Sequence, residues 1–176
     1  WTRNLIVRDG GPEARVKQMT PATNLKGPYT GRGNDDPWGA KLASVLDRIM
    51  EADFSVIPDE WDRACDLAYP GHVRAHGHAA ADRFWLGLRS AFPSAAFRIE
   101  HHIGREDPLM PPRAAVRWAL LGRHDGWGRF GAPTGAEGYV MGITHAEFGP
   151  WGLRREFTLI DDTAIWKQIL LATGAL

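Results

Sequence analysis

"PSAAFRIEHHIG" (93–104), "PPRAAVRWALLGRHDGWGRFGAPTG" (111–135) and "AEGYVMGITHAEFGPWGLRREFTLIDD" (136–162) make up the stretch that decides the fold. It reads as four antiparallel strands joined by turns, because apolar and polar residues alternate along it. Between Ala114 and His124, the residues Val116, Trp118, Leu120 and His124 share one parity. Arg117 and Arg123 share the other, with Ala119 and Leu121. One apolar and one partly charged face describe a half-buried strand. In the last strand Leu153, Phe157, Leu159 and Asp161 share a face, which Arg155 also joins. Two strands that carry polar groups at the ends of apolar faces are what a curved sheet uses to line an oily pocket with a few polar groups.

Upstream, the spacing of Leu42, Val45, Leu46 and Ile49 predicts a helix over Trp38–Asp53, with Asp36 as its cap. A second helix is expected over Pro58–Tyr69, with Pro in its first turn and Asp59 and Glu60 suited to its start. "PGHVRAHG" breaks it, and a third helix over His78–Ala91 places Phe84, Trp85 and Leu88 on one side. Helices followed by an antiparallel sheet give an α+β fold. "PATNLKGPYTGRGNDDP" (21–37) is a linker by its Gly, Pro, Asn and Asp content. Residues 1–36 therefore form an extension and linker, and 37–176 the main domain.

The totals exclude several classes. Lys plus Arg equals Asp plus Glu at 21 each, so no basic field points to nucleic acid. The single cysteine, Cys65, excludes an internal disulfide and a cysteine-based zinc cluster. No apolar run reaches the roughly 20 residues of a helical membrane span, and the default setting is cytoplasmic. No phosphate loop, nucleophile elbow, zinc-protease helix or dinucleotide fingerprint is present, and no cofactor is expected. Eight tryptophans suggest aromatic walls in a core, a pocket or an interface.

Several residues carry candidate chemistry. His124, followed by Asp125, ends an apolar strand face, and imidazole exchanges protons near neutrality. Of the two aspartates after the last strand, Asp162 suits the cap of a closing helix, which leaves Asp161 for a pocket. A carboxylate in an apolar setting has a raised pKa and can take a proton from a carbon next to a carbonyl. His145 and Glu147 share parity with Tyr139, Met141 and Ile143. Adjacent His101 and His102 point to opposite faces, with His101 on the parity of Phe97 and Ile99. Trp61, Trp85, Trp118, Trp127, Phe130, Tyr139 and Phe157 would suit a flat polycyclic or aromatic ligand, though any one of them would serve equally in a core. His72, His76 and His78 lie close together, but no nearby carboxylate or cysteine completes a metal site, so no metal is expected.

The chain also resembles a family. "FP" before a strand, "AVRWALLGRHDG" with its Gly-x-His ending, the "GAPTG" turn and "LRREFTLIDDTAIWKQIL" as final strand and closing helix resemble the SnoaL-like polyketide cyclases. These belong to the larger group with the cone-shaped fold of nuclear transport factor 2 and ketosteroid isomerase. The resemblance spans about residues 40–172 and implies three N-terminal helices on a strongly curved, mostly antiparallel sheet. It implies cofactor-free acid–base chemistry, an aldol-type cyclisation or an isomerisation, on a hydrophobic carbonyl compound. His124 and Asp161 would carry protons. His76, His145 and the aromatics Trp61, Trp85, Trp118, Trp127, Tyr139 and Phe157 would line the pocket. A homodimer through the outer sheet face is the family expectation. One departure counts against catalysis: Thr158 stands where the cyclases often carry a carboxylate. The alternative is a non-catalytic ligand-binding or dimerisation module of the same fold. Residues 1–20 echo the chain's far end, with Val16-Lys17-Gln18-Met19 against Trp166-Lys167-Gln168-Ile169. They read as a remnant of a preceding homologous domain, or as a chance match of a few residues.

Overall fold

The computed structural model describes residues 32–174. The expected remnant over 1–20 and most of the linker lie outside the described residues. The order is α1 (Pro37–Met50), α2 (Val56–Glu60), β1 (Trp61–Tyr69), β2 (Val73–His76), α3 (His78–Ala91), β3 (Ala96–Arg105), β4 (Arg113–Arg123), β5 (Glu137–Gly149), β6 (Gly152–Ile160) and α4 (Asp162–Thr173). The fold is α+β, with helices on an open, mixed sheet of six strands in the order β2-β1-β6-β5-β4-β3. Strands β3 to β6 are a meander of antiparallel neighbours, and β1 and β2 form a separate hairpin. The two pieces join where β1 runs parallel to β6.

The helices start where their residue types require. Asp36 Oδ1 accepts from the Trp38 amide at 2.9 Å, meeting one of the amides that the first turn of α1 leaves unpaired. Leu42, Val45, Leu46 and Ile49 are buried, as their spacing predicts. Helix α1 packs on β3 and β4, α3 on β1 and β2, and α4 on β5. Ahead of α1, the linker runs along the free edge of β3. Asn34 and His102 share a backbone hydrogen bond, and the Asn34 side chain both donates to and accepts from the Gly104 backbone.

The second predicted helix is mostly strand. Three helices do precede the meander, but α2 has five residues and Trp61–Tyr69 is β1. The misleading signal was Trp61 and Cys65, both buried and four apart, which is helical spacing. A bulge produces it. Trp61 faces Leu153 and Asp66 faces Arg155, so β1 advances five residues while β6 advances two. Beyond the bulge the true period appears, because Cys65, Leu67 and Tyr69 are buried and alternate.

Two more bulges reverse expected faces. In β3 the register shifts between Ile99 and His101. His101 then opposes Arg117 and His102 opposes Val116, so His102 is the inward histidine and not His101. In β6, Arg155 faces Glu147 while Leu153 faces Phe148, which makes Arg154 the extra residue. Arg154 and Arg155 are both exposed. Glu156, Thr158 and Ile160 then turn inward, and Phe157 and Leu159 turn outward, opposite to the parity read from Leu153. Strand β4 has no such insertion, and its Val116, Trp118 and Leu120 are buried as predicted.

Candidate functional site

The inward turn after Arg154 puts a carboxylate in the core. Glu156 has no exposed surface. Its Oε2 accepts from Trp61 Nε1 at 3.0 Å and from the Tyr69 hydroxyl at 3.0 Å. Its Oε1 accepts from Trp85 Nε1 at 3.1 Å and from Thr158 Oγ1 at 2.6 Å. An ionised carboxylate accepts and does not donate, and an indole N–H only donates, so the four directions suit the anion. Each such bond to a charged group is worth about 1.5–3 kcal/mol, against several kcal/mol for desolvating the charge. Burial pushes the Glu156 carboxyl above its ordinary value, while the bonds from Thr158, Trp61, Tyr69 and Trp85 pull it down. Burial, with the adjacent Glu156 charge and hydrogen bond, also pushes the Tyr69 phenol up, so it stays a donor.

A second layer feeds this carboxylate. Trp118 Nε1 donates to Thr144 Oγ1 at 3.0 Å, and Thr144 and Thr158 hydroxyls meet at 3.1 Å. With the Thr158 hydrogen on Glu156, the Thr144 hydrogen points to Thr158. The chain therefore runs one way, Trp118 to Thr144 to Thr158 to Glu156. A proton placed on Oε1 would reverse Thr158 and leave the Thr144 hydrogen without this acceptor. The Tyr69 ring stacks on Phe84 at 4.1 Å and 9°. The Arg129 guanidinium lies 5.4 Å from the centre of the Phe84 ring and forms a two-pronged ion pair with Asp162 at 3.0 and 2.6 Å. The loop between β4 and β5 is thereby tied to the start of α4.

Of the residues singled out in the sequence, Trp61, Trp85 and Trp118 come together here. The others do not. His124 is fully buried, but it lies ten residues along β4 from Ala114, which is level with Glu156 through Ala146. That is about 33 Å of extended strand. Its Nδ1 meets Thr134 Oγ1 at 3.1 Å, and its Nε2 is buried with no hydrogen-bond partner. Phe92 and Phe130 flank it. Burial lowers its pKa below the ordinary 6.5, against the nearby Asp125 charge, and keeps the ring neutral. Asp161 accepts from the Ala164 amide at 2.9 Å and takes the cap of α4 expected of Asp162, while Asp162 pairs with Arg129. His76 lies on β2 at the sheet edge, its side chain largely exposed. Trp127 is exposed in the β4–β5 loop. Tyr139, His145 and Phe157 lie on the outer sheet face, where the His145 and Phe157 rings are 6.2 Å apart.

Glu156 itself escaped the sequence reading. The available signal was Arg154-Arg155, two consecutive charged residues that interrupt strict alternation and mark a bulge. Among the described residues no group of three or more His, Cys, Asp or Glu side chains is arranged to hold a metal ion, and no helix is long and apolar enough to cross a membrane.

Known structures share this arrangement of elements. A candidate SnoaL-like polyketide cyclase from Jannaschia sp. CCS1 superposes with a TM-score of 0.61 at 15% identity, over 77% of this chain and 96% of that one. The fold is SnoaL-like. IdmH, a candidate polyketide cyclase from Streptomyces antibioticus, matches at TM-score 0.60 and 13% identity, over 74% of this chain and 96% of its own. AclR, a candidate hydroxylase from Streptomyces galilaeus, matches at 0.58 and 18%, over 78% and 83%. No family model matches the sequence, and no curated protein matches it. At these identities the SnoaL-like neighbours establish a shared fold, and the chemistry has to be argued from the residues.

Proposed function

We propose that this SnoaL-like chain is a small-molecule enzyme that performs cofactor-free acid–base chemistry on a hydrophobic carbonyl compound, an aldol-type cyclisation or an isomerisation. The observation that carries the reading is Glu156: a fully buried carboxyl with a raised proton affinity, walled by Trp61, Trp85 and Trp118. Such a group takes a proton from the carbon next to a carbonyl and returns it to another carbon or oxygen. Tyr69 is the donor that a substrate displaces, because a phenol, unlike an indole, can turn and serve a second oxygen. Freed from Glu156, its hydroxyl would hold the enolate oxygen. Glu156 takes the part that the sequence suggested for Asp161, and His124 is kept as a second proton carrier only for a substrate that reaches the far end of β4.

The test is deuterium uptake at the α-carbon of α-tetralone, a flat bicyclic ketone, followed by NMR in heavy water. The wild type is expected to accelerate exchange, Tyr69→Phe to slow it, and Glu156→Gln to abolish it. Near-UV circular dichroism of Tyr69→Phe keeps the comparison on folded protein. Equal rates for wild type and both variants would refute the reading.

A second reading has its own observation. All four acceptor positions of Glu156 are met by protein donors, which is also how a purely structural knot between β1, β6 and α3 would be built. The chain would then be a ligand-binding or dimerisation module. The outer sheet face suits a homodimer under either reading. Ile143 pairs with Leu159 and His145 with Phe157, and Met141, Ile143, Phe157 and Leu159 leave apolar surface in contact with solvent.

A further inference from the structure

The bulges in β1 and β6 have a second effect, on the side of the sheet away from Glu156. They open a cleft of about 410 Å3, whose lining includes Asp62, Asp66, His76, Trp151, Arg154 and Arg155. The volume falls within the range of small-molecule sites. Its two walls have opposite charge. Asp62 and Asp66 come from β1, and Arg154 and Arg155 stand side by side on β6 because Arg154 is the inserted residue.

These charges are poorly matched among the described residues. Arg154 and Arg155 share one carboxylate, Glu147, at 3.3 and 3.6 Å. Among the described residues Asp66 reaches only His76, at 3.8 Å, which is too long for a hydrogen bond. Asp62 accepts from the Ala64 amide at 2.9 Å and has no cationic partner among the described residues. Asp66 and Arg155 are register partners across β1 and β6, yet no ion pair joins them. Neighbouring strands are about 4.8 Å apart. An acidic and a basic group left unjoined across neighbouring strands match a ligand that carries both charges, an ammonium and a carboxylate one carbon apart. At the rim, on the β5–β6 turn, Trp151 is 80% exposed and offers an indole face to a flat group.

We propose that this cleft binds a free amino acid with an aromatic side chain. The ammonium is held by Asp62 and Asp66, the carboxylate by Arg154 and Arg155, and the ring lies on Trp151. The site is on the opposite face of the sheet from Glu156, so it stands or falls independently of the acid–base reading.

The experiment is a titration of the ¹⁵N-labelled chain with L-phenylalanine, read on the Trp151 indole N–H and the amides of 62–66. Phenethylamine and 3-phenylpropionate, which keep one charge each, are the controls. L-phenylalanine is expected to give saturable shifts confined to these groups, and each control to bind about tenfold more weakly or worse. Asp62→Asn, at a half-buried position, and Arg154→Gln, at an exposed one, are each expected to weaken L-phenylalanine by about tenfold while leaving the remaining spectrum in place. Three results would overturn the proposal: no saturable shift, 3-phenylpropionate binding as tightly as L-phenylalanine, or both variants binding like the wild type.

Discussion

Trp61 and Glu156 are joined by a 3.0 Å hydrogen bond across the parallel seam between β1 and β6. Neither strand buries the carboxylate alone. β1 supplies Trp61 and Tyr69, β6 supplies Glu156 and Thr158, and α3 adds Trp85. The site is therefore also a joint of the fold, and changing one member changes both.

Glu156→Gln replaces one acceptor oxygen with an NH2 that faces two donors. Each orphaned donor costs about 1–3 kcal/mol, so urea unfolding should show a loss of that order per donor. The pH dependence is more specific. The carboxyl pKa is raised in the fold above its ordinary 4.5, so the folded state holds this proton more tightly than the unfolded one. The contribution is fully present below 4.5 and is lost as pH rises through the folded value. The stability of the wild type relative to Glu156→Gln should fall over that window. A difference that stays level with pH would show that the carboxyl titrates normally.

His124 has the opposite sign. Its pKa is lowered from 6.5, so the unfolded chain binds the proton first. Stability should be complete above 6.5 and decline as pH falls below it, and His124→Asn should lack that component. Unfolding midpoints for the two proteins between neutral and mildly acidic pH measure it. Parallel curves would mean that the imidazole titrates as it does in water.

Gly142 lies opposite Trp118 in the β4–β5 register, and a Cβ there would overlap the indole ring. Gly142→Ala should push Trp118 off Thr144 and cost about 1–3 kcal/mol, as overpacking does. It reaches the relay to Glu156 without altering any member of it. The ¹⁵N shift of the Trp118 indole should move, and a Trp118→Phe control should give a similar loss of stability. An unmoved indole signal would show that the strand, and not the ring, absorbs the extra methyl.

The outer face should assemble. Sedimentation of the wild type is expected to show a dimer, and Ile143→Lys with Leu159→Lys a folded monomer. Both positions are exposed, so the lysines should not disturb the inner core. A monomeric wild type would remove the dimer from consideration.

The sequence was readable wherever the chain keeps its period. Strand β4 runs without insertion, and its inward residues through Trp118 follow from counting by twos. Helices α1 and α3 follow from counting by threes and fours, and the Asp36 cap from residue type. Reading failed at bulges, because one extra residue reverses every face beyond it. At β6 that hid Glu156 and sent Phe157 outward. At β3 it exchanged His101 and His102. At β1 it imitated a helix. Local pattern cannot reveal the β1 insertion, whose partner is a strand some ninety residues away, whereas the β6 insertion that hid Glu156 lies within the β5–β6 hairpin and left its mark in Arg154-Arg155.

The parallel seam also governs how the molecule comes into being. Trp61 and Glu156 are separated by 95 positions, and β1 leaves the ribosome long before β6 exists. The β1–β2 hairpin and the four-strand meander can each form from near neighbours, but closing the seam requires a large loop and comes late. Until then Trp61, Tyr69 and Glu156 are all unburied, and the edge of β1 is open to wrong partners. Interrupting synthesis within β6 should leave a chain with native-like α1 and α3, an unprotected β1 edge and a tendency to associate.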